Sequence, residues 1–155
     1  MAKKVMITML DDSAPGFNLS DWVGSGGRND KGDVRLIQAM INFIAIGHND
    51  LSMAGAKSKN DLPDLSGLLD STTIFAIMNY QIRWMRLLYA SISGVIFPVD
   101  YKTYKFTESD TRRPAITMLH QLSMDAAGRL NEADYTVKML DMFPELRPFI
   151  KETKK

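Results

Sequence analysis

The chain lacks cysteine altogether, which excludes disulfide bonds, thiolate metal ligands and a thiol nucleophile. It also lacks an excess of either charge, because 19 Lys and Arg residues face 18 Asp and Glu residues. That balance does not supply the positive field with which sequence-independent nucleic-acid binders neutralise phosphates, so we expect no nucleic-acid partner. Only His48 and His120 are present as histidines, and neither has a second ligand at metal-site spacing. We therefore expect no metal site and no cofactor.

Long hydrophobic runs are missing as well. The apolar run that follows Lys3 and Lys4 meets Asp11 after six residues, which is too short for a Sec-type export signal. The most apolar later segment, 74–96, contains two arginines, so we expect no membrane span. These features suggest synthesis in the cytoplasm and leave open delivery as part of a larger assembly.

The composition that remains is typical of a globular protein, with 45% hydrophobic and 24% charged residues in a chain of 155. A chain of this length can bury about two-thirds of the surface that its unfolded form exposes. No break in composition divides it. We therefore expect a single domain, 1–155.

The hydrophobic pattern predicts a mainly α-helical fold that follows one short strand. Residues 3–10 are rich in β-branched and apolar side chains and are bounded by Asp, Pro and Gly, which indicates a strand and then a loop. Asp33 is the expected N-cap of the first helix, which ends near Gly47. Its apolar stripe consists of Val34, Ile37, Ile41 and Ile44.

A second helix is predicted to begin at a cap formed by Ser71, Thr72 or Thr73. Its expected core-facing side chains are Ile74, Ile77, Met78, Met85 and Leu88. Further apolar positions widen this stripe almost to the full circumference, and they are Phe75, Tyr80, Trp84 and Leu87. Such a helix is expected either to lie centrally in the fold or to carry an interface.

The rest of the chain reads as an extended segment and two further helices. Gly94 ends the second helical pattern, and 95–98 are predicted to be extended. A third helix is expected over 114–128, starting at a proline. A fourth is expected to be capped by Asn131, with an Asp three residues later, and to stop before Pro144.

The glycines and polar residues around the first two helices follow a recognisable order. In chain order they are Gly24, Gly27, Asn29, Asp33, Val34, Gln38, Asn42, Gly67, Thr73, Ala76, Ile77, Tyr80 and Gln81. This order and spacing resemble the peptidoglycan-binding-like domain family. A weaker similarity continues through Gly94, Pro98 and Thr103.

The resemblance covers about residues 22–103 and leaves the N-terminal strand and a C-terminal helical extension, about 110–150, outside it. It implies a small helical bundle of the peptidoglycan-binding-domain type that binds cell-wall glycan or stem peptide without catalysis. Two positions depart from the family pattern: Ser66 stands where Asp is usual, and Asp70 where Gly is usual. The turn before the second helix is therefore rebuilt.

Most of the shared positions also have a structural interpretation. Small or apolar residues pack or permit turns, and Asp33 and Thr73 are expected to cap helices. Gln38 and Gln81 lie on or beside the apolar stripes, where a buried amide must find hydrogen-bond partners. We expect the backbone of neighbouring loops to supply those partners.

A candidate ligand site is formed by Trp84, Arg83, Arg86, Tyr101 and Tyr104. Aromatic faces stack on sugar rings, and an arginine can hold a carboxylate through two parallel hydrogen bonds. Peptidoglycan presents both chemical groups. A place in the core is the competing interpretation for Trp84.

Signals for catalysis are weak. The candidate carboxylates belong to predicted loops, and they are Asp11, Asp12, Asp61, Asp64 and Asp70. No Gly-x-Ser-x-Gly elbow is present, and the glycine-rich loop before the first helix lacks the P-loop order. We expect the chain not to be an enzyme.

Two functions follow from these observations. The first is a bacterial or phage-encoded wall-associated module whose partner is peptidoglycan. The alternative is a structural or adaptor subunit of a phage-tail-like or secretion assembly, which uses the fold for protein–protein contacts in an oligomer or larger particle. The eleven methionines provide pliable apolar surface for either a core or such contacts.

Overall fold

The computed structural model describes residues 1–9, 12–84, 94–98, 113–129 and 134–151. Within these ranges the chain is mainly helical, as predicted. The helices are α1 (Lys31–Gly47), α2 (Ser71–Trp84), α3 (Arg113–Arg129) and α4 (Tyr135–Met142). Short 3-10 turns lie at Leu51–Ala54, Lys59–Asp61 and Pro144–Phe149. None of the described helices is both long enough and apolar enough to cross a bilayer.

A small sheet replaces the single strand that the sequence predicts. Strands β1 (Ala2–Met9) and β2 (Asp12–Asn18) form an antiparallel hairpin, and β3 (Ile150–Lys151) runs parallel to the start of β1. The strand order is β2-β1-β3. The prediction of a loop after the first strand was therefore wrong, since Asp12, Pro15 and Gly16, which were assigned to that loop, lie within β2.

The proline in β2 is tolerated because of its position in the hairpin. The Phe17 N–H donates to the Tyr135 hydroxyl over 3.4 Å, so it points away from β1. Pro15 is two residues earlier and therefore faces the same way. Its missing N–H removes no bond between the two strands, and a sequence scan for strand breakers misreads it.

Helix α1 is the centre of the fold. Thirteen of its residues are buried, including Leu36, Met40 and Phe43, which lie beyond the predicted stripe. The stripe of α2 is narrower than predicted, since Phe75, which the prediction placed on it, is 58% exposed. The central position expected for the second helix therefore belongs to the first.

The core face of α2 differs from the predicted one in its residues too. Its buried side chains are Thr73, Ala76, Ile77, Asn79, Tyr80 and Gln81, while Ile74 and Met78 are only half-buried. The Tyr80 hydroxyl donates to the Asp125 carboxylate and joins α2 to α3. Met85, Leu87 and Leu88 lie outside the described residues. The third helix begins and ends within one residue of its prediction, and Leu119, Leu122 and Ala126 on its predicted face are buried.

The cap of α1 is Asp30 rather than Asp33. The Asp30 carboxylate accepts hydrogen bonds from the backbone N–H groups of Gly32 and Asp33 at 3.0 and 3.2 Å. Asp33 is buried in the first turn and accepts from Ser20 N and Oγ at 3.0 and 2.6 Å, and from Asp21 N at 3.2 Å. Asp30 and Asp33 both satisfy the sequence rule for an N-cap. The structure shows that Asp30 caps the helix, whereas Asp33 binds the preceding loop.

Two more of the described helices, α2 and α4, also begin at a capping aspartate. Asp70 caps α2 by accepting from Thr73 N and Thr73 Oγ1 at 2.8 and 2.6 Å, so Ser71, Thr72 and Thr73 were wrong as caps. Asp134 caps α4 by accepting from Thr136 N at 3.0 Å, and the predicted cap Asn131 lies outside the described residues. A carboxylate adds a favourable interaction with the helix dipole to the hydrogen bond of a cap.

Asp134 also joins α4 to the sheet through an ion pair with Lys4, at 3.2 Å between Nζ and Oδ2. Burial alone would raise the pKa of Asp134, but the hydrogen bonds from Thr136 and Lys4 and the Lys4 charge outweigh it. The pKa of this carboxyl is therefore below its ordinary value. The stability that it contributes is present above that ordinary value and is lost as the pH falls through the lowered one.

Tyr135 connects the sheet to three helices. Its ring packs edge-on to Phe17 at 6.0 Å and tilts against Phe43 at 6.4 Å. Its hydroxyl lies 3.1 Å from Ser123 Oγ and accepts from the N–H of Phe17. Burial raises the pKa of Tyr135 to about 12, because the phenolate would lose its hydration there.

Replacing Tyr135 with Phe is expected to reduce the loss of stability at alkaline pH. The phenol ionises at 10.0 when unfolded and at about 12 when folded. The free energy of unfolding that the buried, un-ionised phenol contributes is therefore fully present below pH 10. It is lost as the pH rises through 12, a change of about 3 kcal/mol. Urea unfolding from about pH 8 to about pH 11.5 measures it. Ser123→Ala, which keeps the phenol, should retain the alkaline loss, and equal slopes for wild type and Tyr135→Phe would contradict the assignment.

Candidate functional site

Buried side-chain amides fix the loops around α1 and α2, as predicted for both glutamines. Gln38 is fully buried, and its Oε1 accepts from the Gly67 N–H at 2.9 Å. Its Nε2 donates to Leu68 O at 3.0 Å and to Thr73 Oγ1 at 2.9 Å. One side chain of α1 therefore holds both the turn before α2 and the first turn of α2 itself.

The turn before α2, which contains Ser66, is held by hydrogen bonds. The Ser66 hydroxyl accepts from Leu68 N at 3.1 Å and lies 3.3 Å from Gln38 Nε2. Gly67 has a φ of +78°, and a Cβ there would lie 2.8 Å from Lys31 O. Asn42 extends the network by donating to Gln38 O and to the carbonyl of residue 63, both at 2.8 Å.

Gln81 fixes the segment 94–98 through hydrogen bonds to its backbone, as Gln38 fixes the turn before α2. It is fully buried; its Oε1 accepts from Gly94 N at 2.9 Å, and its Nε2 donates to Val95 O at 3.3 Å. Ile96 then forms an antiparallel bridge with Val23, with N–O distances of 2.9 and 2.8 Å. The extended conformation predicted for this segment is confirmed. It joins the glycine-rich loop to α2.

Asn29 closes the glycine-rich loop from within. It adopts a left-handed conformation with φ of 52°, accepts from Gly24 N at 2.7 Å, and donates to Gly24 O and Gly27 O at 2.9 and 3.1 Å. A Cβ on Gly24 would lie 2.6 Å from Gly94 O, so the two segments are in close backbone contact. The loop is thus held by the side chain of Asn29 and by backbone contact with Gly94.

A stacked aromatic pair lies on this fixed frame. Trp22 is half-buried, and its ring stacks on Phe97 with centroids 5.2 Å apart and planes at 24°. With Val95 these residues form a cluster separate from the main core, and we call Trp22, Val95 and Phe97 the Trp22 platform. Ser25 and Arg28 of the adjoining loop are exposed. The sequence analysis missed Trp22, although a tryptophan in a glycine-rich loop without helical periodicity is itself a signal.

The predicted ligand residues lie only partly within the described ranges. Arg83 is exposed in the last turn of α2, and Trp84 is the last residue of that helix, although its side chain is not among those described. Gln81 is one turn earlier and binds the segment that carries Phe97. The end of α2 is therefore next to the Trp22 platform. The remaining residues of the predicted set, Arg86, Tyr101 and Tyr104, lie outside the described residues.

The other positions of the family pattern are interior. Val34, Ala76, Ile77 and Pro98 are buried. Asp33 anchors the loop before α1, and Thr73 is held by both Asp70 and Gln38.

The acidic residues considered for catalysis are dispersed or locally bonded. Asp12 is in β2, Asp64 is exposed, and Asp61 accepts from Lys57 N and Ser58 N at 3.2 Å. Asp11 lies outside the described residues. Within the described ranges, no three His, Asp or Glu side chains are grouped so that they could hold a metal ion.

Comparison of the chain with protein-family models, curated proteins and solved structures finds no match. The function must therefore be inferred from the residues and contacts of this chain alone.

Replacing Gln38 with Ala is expected to lower the free energy of unfolding by about 3 kcal/mol, because the Gly67 N–H and Leu68 C=O lose their buried partner. Urea unfolding followed by circular dichroism measures this loss. The control is Gln121→Ala, because the half-buried Gln121 bonds to Asp125 on its own helix at 3.1 Å. That variant should lose less than about 1 kcal/mol. Equal losses for the two variants would show that Gln38 does not fix the turn.

Proposed function

We propose that this chain is a non-catalytic binding module of the peptidoglycan-binding-domain type, which contacts cell-wall glycan and stem peptide through the Trp22 platform and the end of α2. The observation that carries this proposal is the stacked Trp22–Phe97 pair on a frame held by Asn29 and Gln81. Stacking on Phe97 fixes the orientation of the indole before any ligand arrives.

This arrangement suits a sugar polymer for two physical reasons. An indole ring offers a flat apolar surface to the C–H faces of a sugar, and a half-buried tryptophan retains surface for such a contact. A rigid platform also loses little conformational entropy on binding. Arg28 in the loop and Arg83 at the end of α2 are both exposed and can donate to stem-peptide carboxylates.

The resemblance to peptidoglycan-binding-like domains supports the same proposal. The residues that carry it include Asn29, Gln38 and Gln81, and these side chains fix the loops around the platform. The pattern thus corresponds to a consistent set of buried and partly buried hydrogen bonds in this chain. A fold can keep such a frame without its ligand, and binding therefore needs its own test.

Sedimentation with insoluble peptidoglycan sacculi tests the proposal. Trp22→Ala is expected to weaken binding about tenfold, since the lost stacking is worth about 1 kcal/mol in addition to the lost area. Trp22→Phe should be intermediate, and Trp84→Ala should weaken binding if the end of α2 takes part. The matched control is Phe75→Ala, which removes an exposed aromatic side chain from α2.

Each variant must first show wild-type circular dichroism and urea unfolding, because Trp22 also packs on Phe97. Folded wild type that stays in the supernatant with every wall type tested would refute wall binding. Equal binding by wild type and Trp22→Ala would instead remove the platform from the site.

A specific observation favours the alternative, a structural or adaptor subunit of a larger assembly. Phe75 and Ile82 are exposed seven residues apart on α2, with the half-buried Met78 between them. These three positions lie on one helix face. Soluble proteins that expose apolar side chains in such a row commonly use them for contacts with other proteins.

Replacing Phe75 and Ile82 together with Ser is expected to raise the solubility limit of the isolated protein while leaving its sacculus binding unchanged. The side chains are exposed, so the free energy of unfolding should change by less than about 1 kcal/mol. Precipitation by ammonium sulfate measures the limit. A large loss of stability would show that this face packs within the fold, and the adaptor alternative would lose its support.

A further inference from the structure

Within the described residues, the outer edge of β1 is unpaired over most of its length. β3 pairs with β1 only at Ala2 and Lys3, and within the described residues no other strand continues along this side. The opposite side of β1 is fully paired with β2, from Lys3 to Met9. Among the strands that the structure describes, β2 is therefore the one neighbour of the segment from Val5 to Met9.

The hairpin register shows which backbone groups face the open side. The Phe17 N–H points away from β1, because it donates to Tyr135. Lys4, the residue opposite Phe17, therefore also faces away from its hairpin partner. Facing alternates along a strand, so the N–H and C=O groups of Met6 and Thr8 point outward from the hairpin.

The two outer edges of the hairpin differ in how their outward-facing backbone groups are protected from pairing. On β2, the N–H of Phe17 donates to the Tyr135 hydroxyl, and Pro15 has no N–H group. On β1, the run Val-Met-Ile-Thr-Met contains no proline and no charge, and the Met6 side chain is 63% exposed. Proteins usually protect sheet edges with the devices that β2 has and β1 lacks.

We propose that β1 of a second copy of this chain pairs antiparallel with this edge, so that two hairpins join in one continuous sheet. A two-fold axis at Ile7 would place Met6 of each copy opposite Thr8 of the other. Both residues face the open edge, so each pair can exchange two backbone hydrogen bonds. β3 limits the new pairing to the part of β1 after Lys3.

The distribution of charge identifies the occupant as a second copy. Lys3 is exposed at the start of β1, whereas Asp12 lies at the far end of the hairpin, opposite Met9. Antiparallel self-pairing brings the Lys3 end of each copy to the Asp12 end of the other. Parallel pairing would instead place Lys3 of one copy beside Lys3 of the other. A surface that is complementary to itself under a two-fold rotation is what a closed dimer requires.

Sedimentation equilibrium of Thr8→Pro and Thr8→Val tests this pairing. Proline removes the outward N–H but, like Pro15 in β2, no hydrogen bond within the hairpin, whereas valine keeps the N–H and is the matched control. We expect wild type and Thr8→Val to be dimers at about 100 μM, and Thr8→Pro to dissociate at least about tenfold more readily. Unchanged circular dichroism verifies that each variant is folded.

Charge reversal provides a second test that leaves the backbone intact. Lys3→Glu should weaken the dimer, and adding Asp12→Lys to the same chain should restore it, because the two reversals re-create opposite charges across the axis.

A wild type that stays monomeric at about 100 μM would overturn the proposal. Thr8→Pro that dimerises as well as Thr8→Val would overturn it too, as would a Lys3→Glu variant with an unchanged dissociation constant. The inference goes beyond the proposed function, and the measurements need no sacculi. Failure of wall binding and failure of dimerisation are therefore separate results.

Discussion

The burial of α1 on nearly all sides is the constraint on which the rest of the structure depends. A helix in that position must satisfy each of its polar side chains inside the protein, because water does not reach them. Asp33, Gln38 and Asn42 meet this requirement through two loops: Asp33 bonds to the loop before α1, and Gln38 and Asn42 bond to the loop before α2. The positions of those loops thus follow from the polar residues of one helix, and Gln81 repeats the solution on α2.

Features governed by a local pattern could be predicted from the sequence. The apolar periodicity of α1 and α3 located both helices, and the buried amides were expected to bond to loops because an unpaired one is costly. Features that depend on neighbouring segments could not be predicted. Pro15 is compatible with a strand only because its neighbour Phe17 faces Tyr135, and Asp30 and Asp33 satisfy the same capping rule.

The candidate site shows the same division. A search for aromatic residues on helices selected Trp84, whereas the stacked pair joins Trp22 and Phe97, 75 positions apart in the chain. The Val23–Ile96 bridge holds these two distant segments side by side. No periodicity within a single segment reports a contact of that kind. The most informative local signal was the composition of the loop, in which an aromatic residue stands among glycines.

The parallel pairing of β3 with Ala2 and Lys3 has a consequence for the order of folding. Nearly the whole chain separates these strands, so their pairing closes the longest loop in the fold and must offset the largest loss of chain entropy. During synthesis the hairpin can form early from adjacent residues, but β3 joins it only after α4 has left the ribosome. Until then the outer edge of β1 is unpaired even at Ala2 and Lys3, and the nascent chain exposes a longer strand edge than the finished protein.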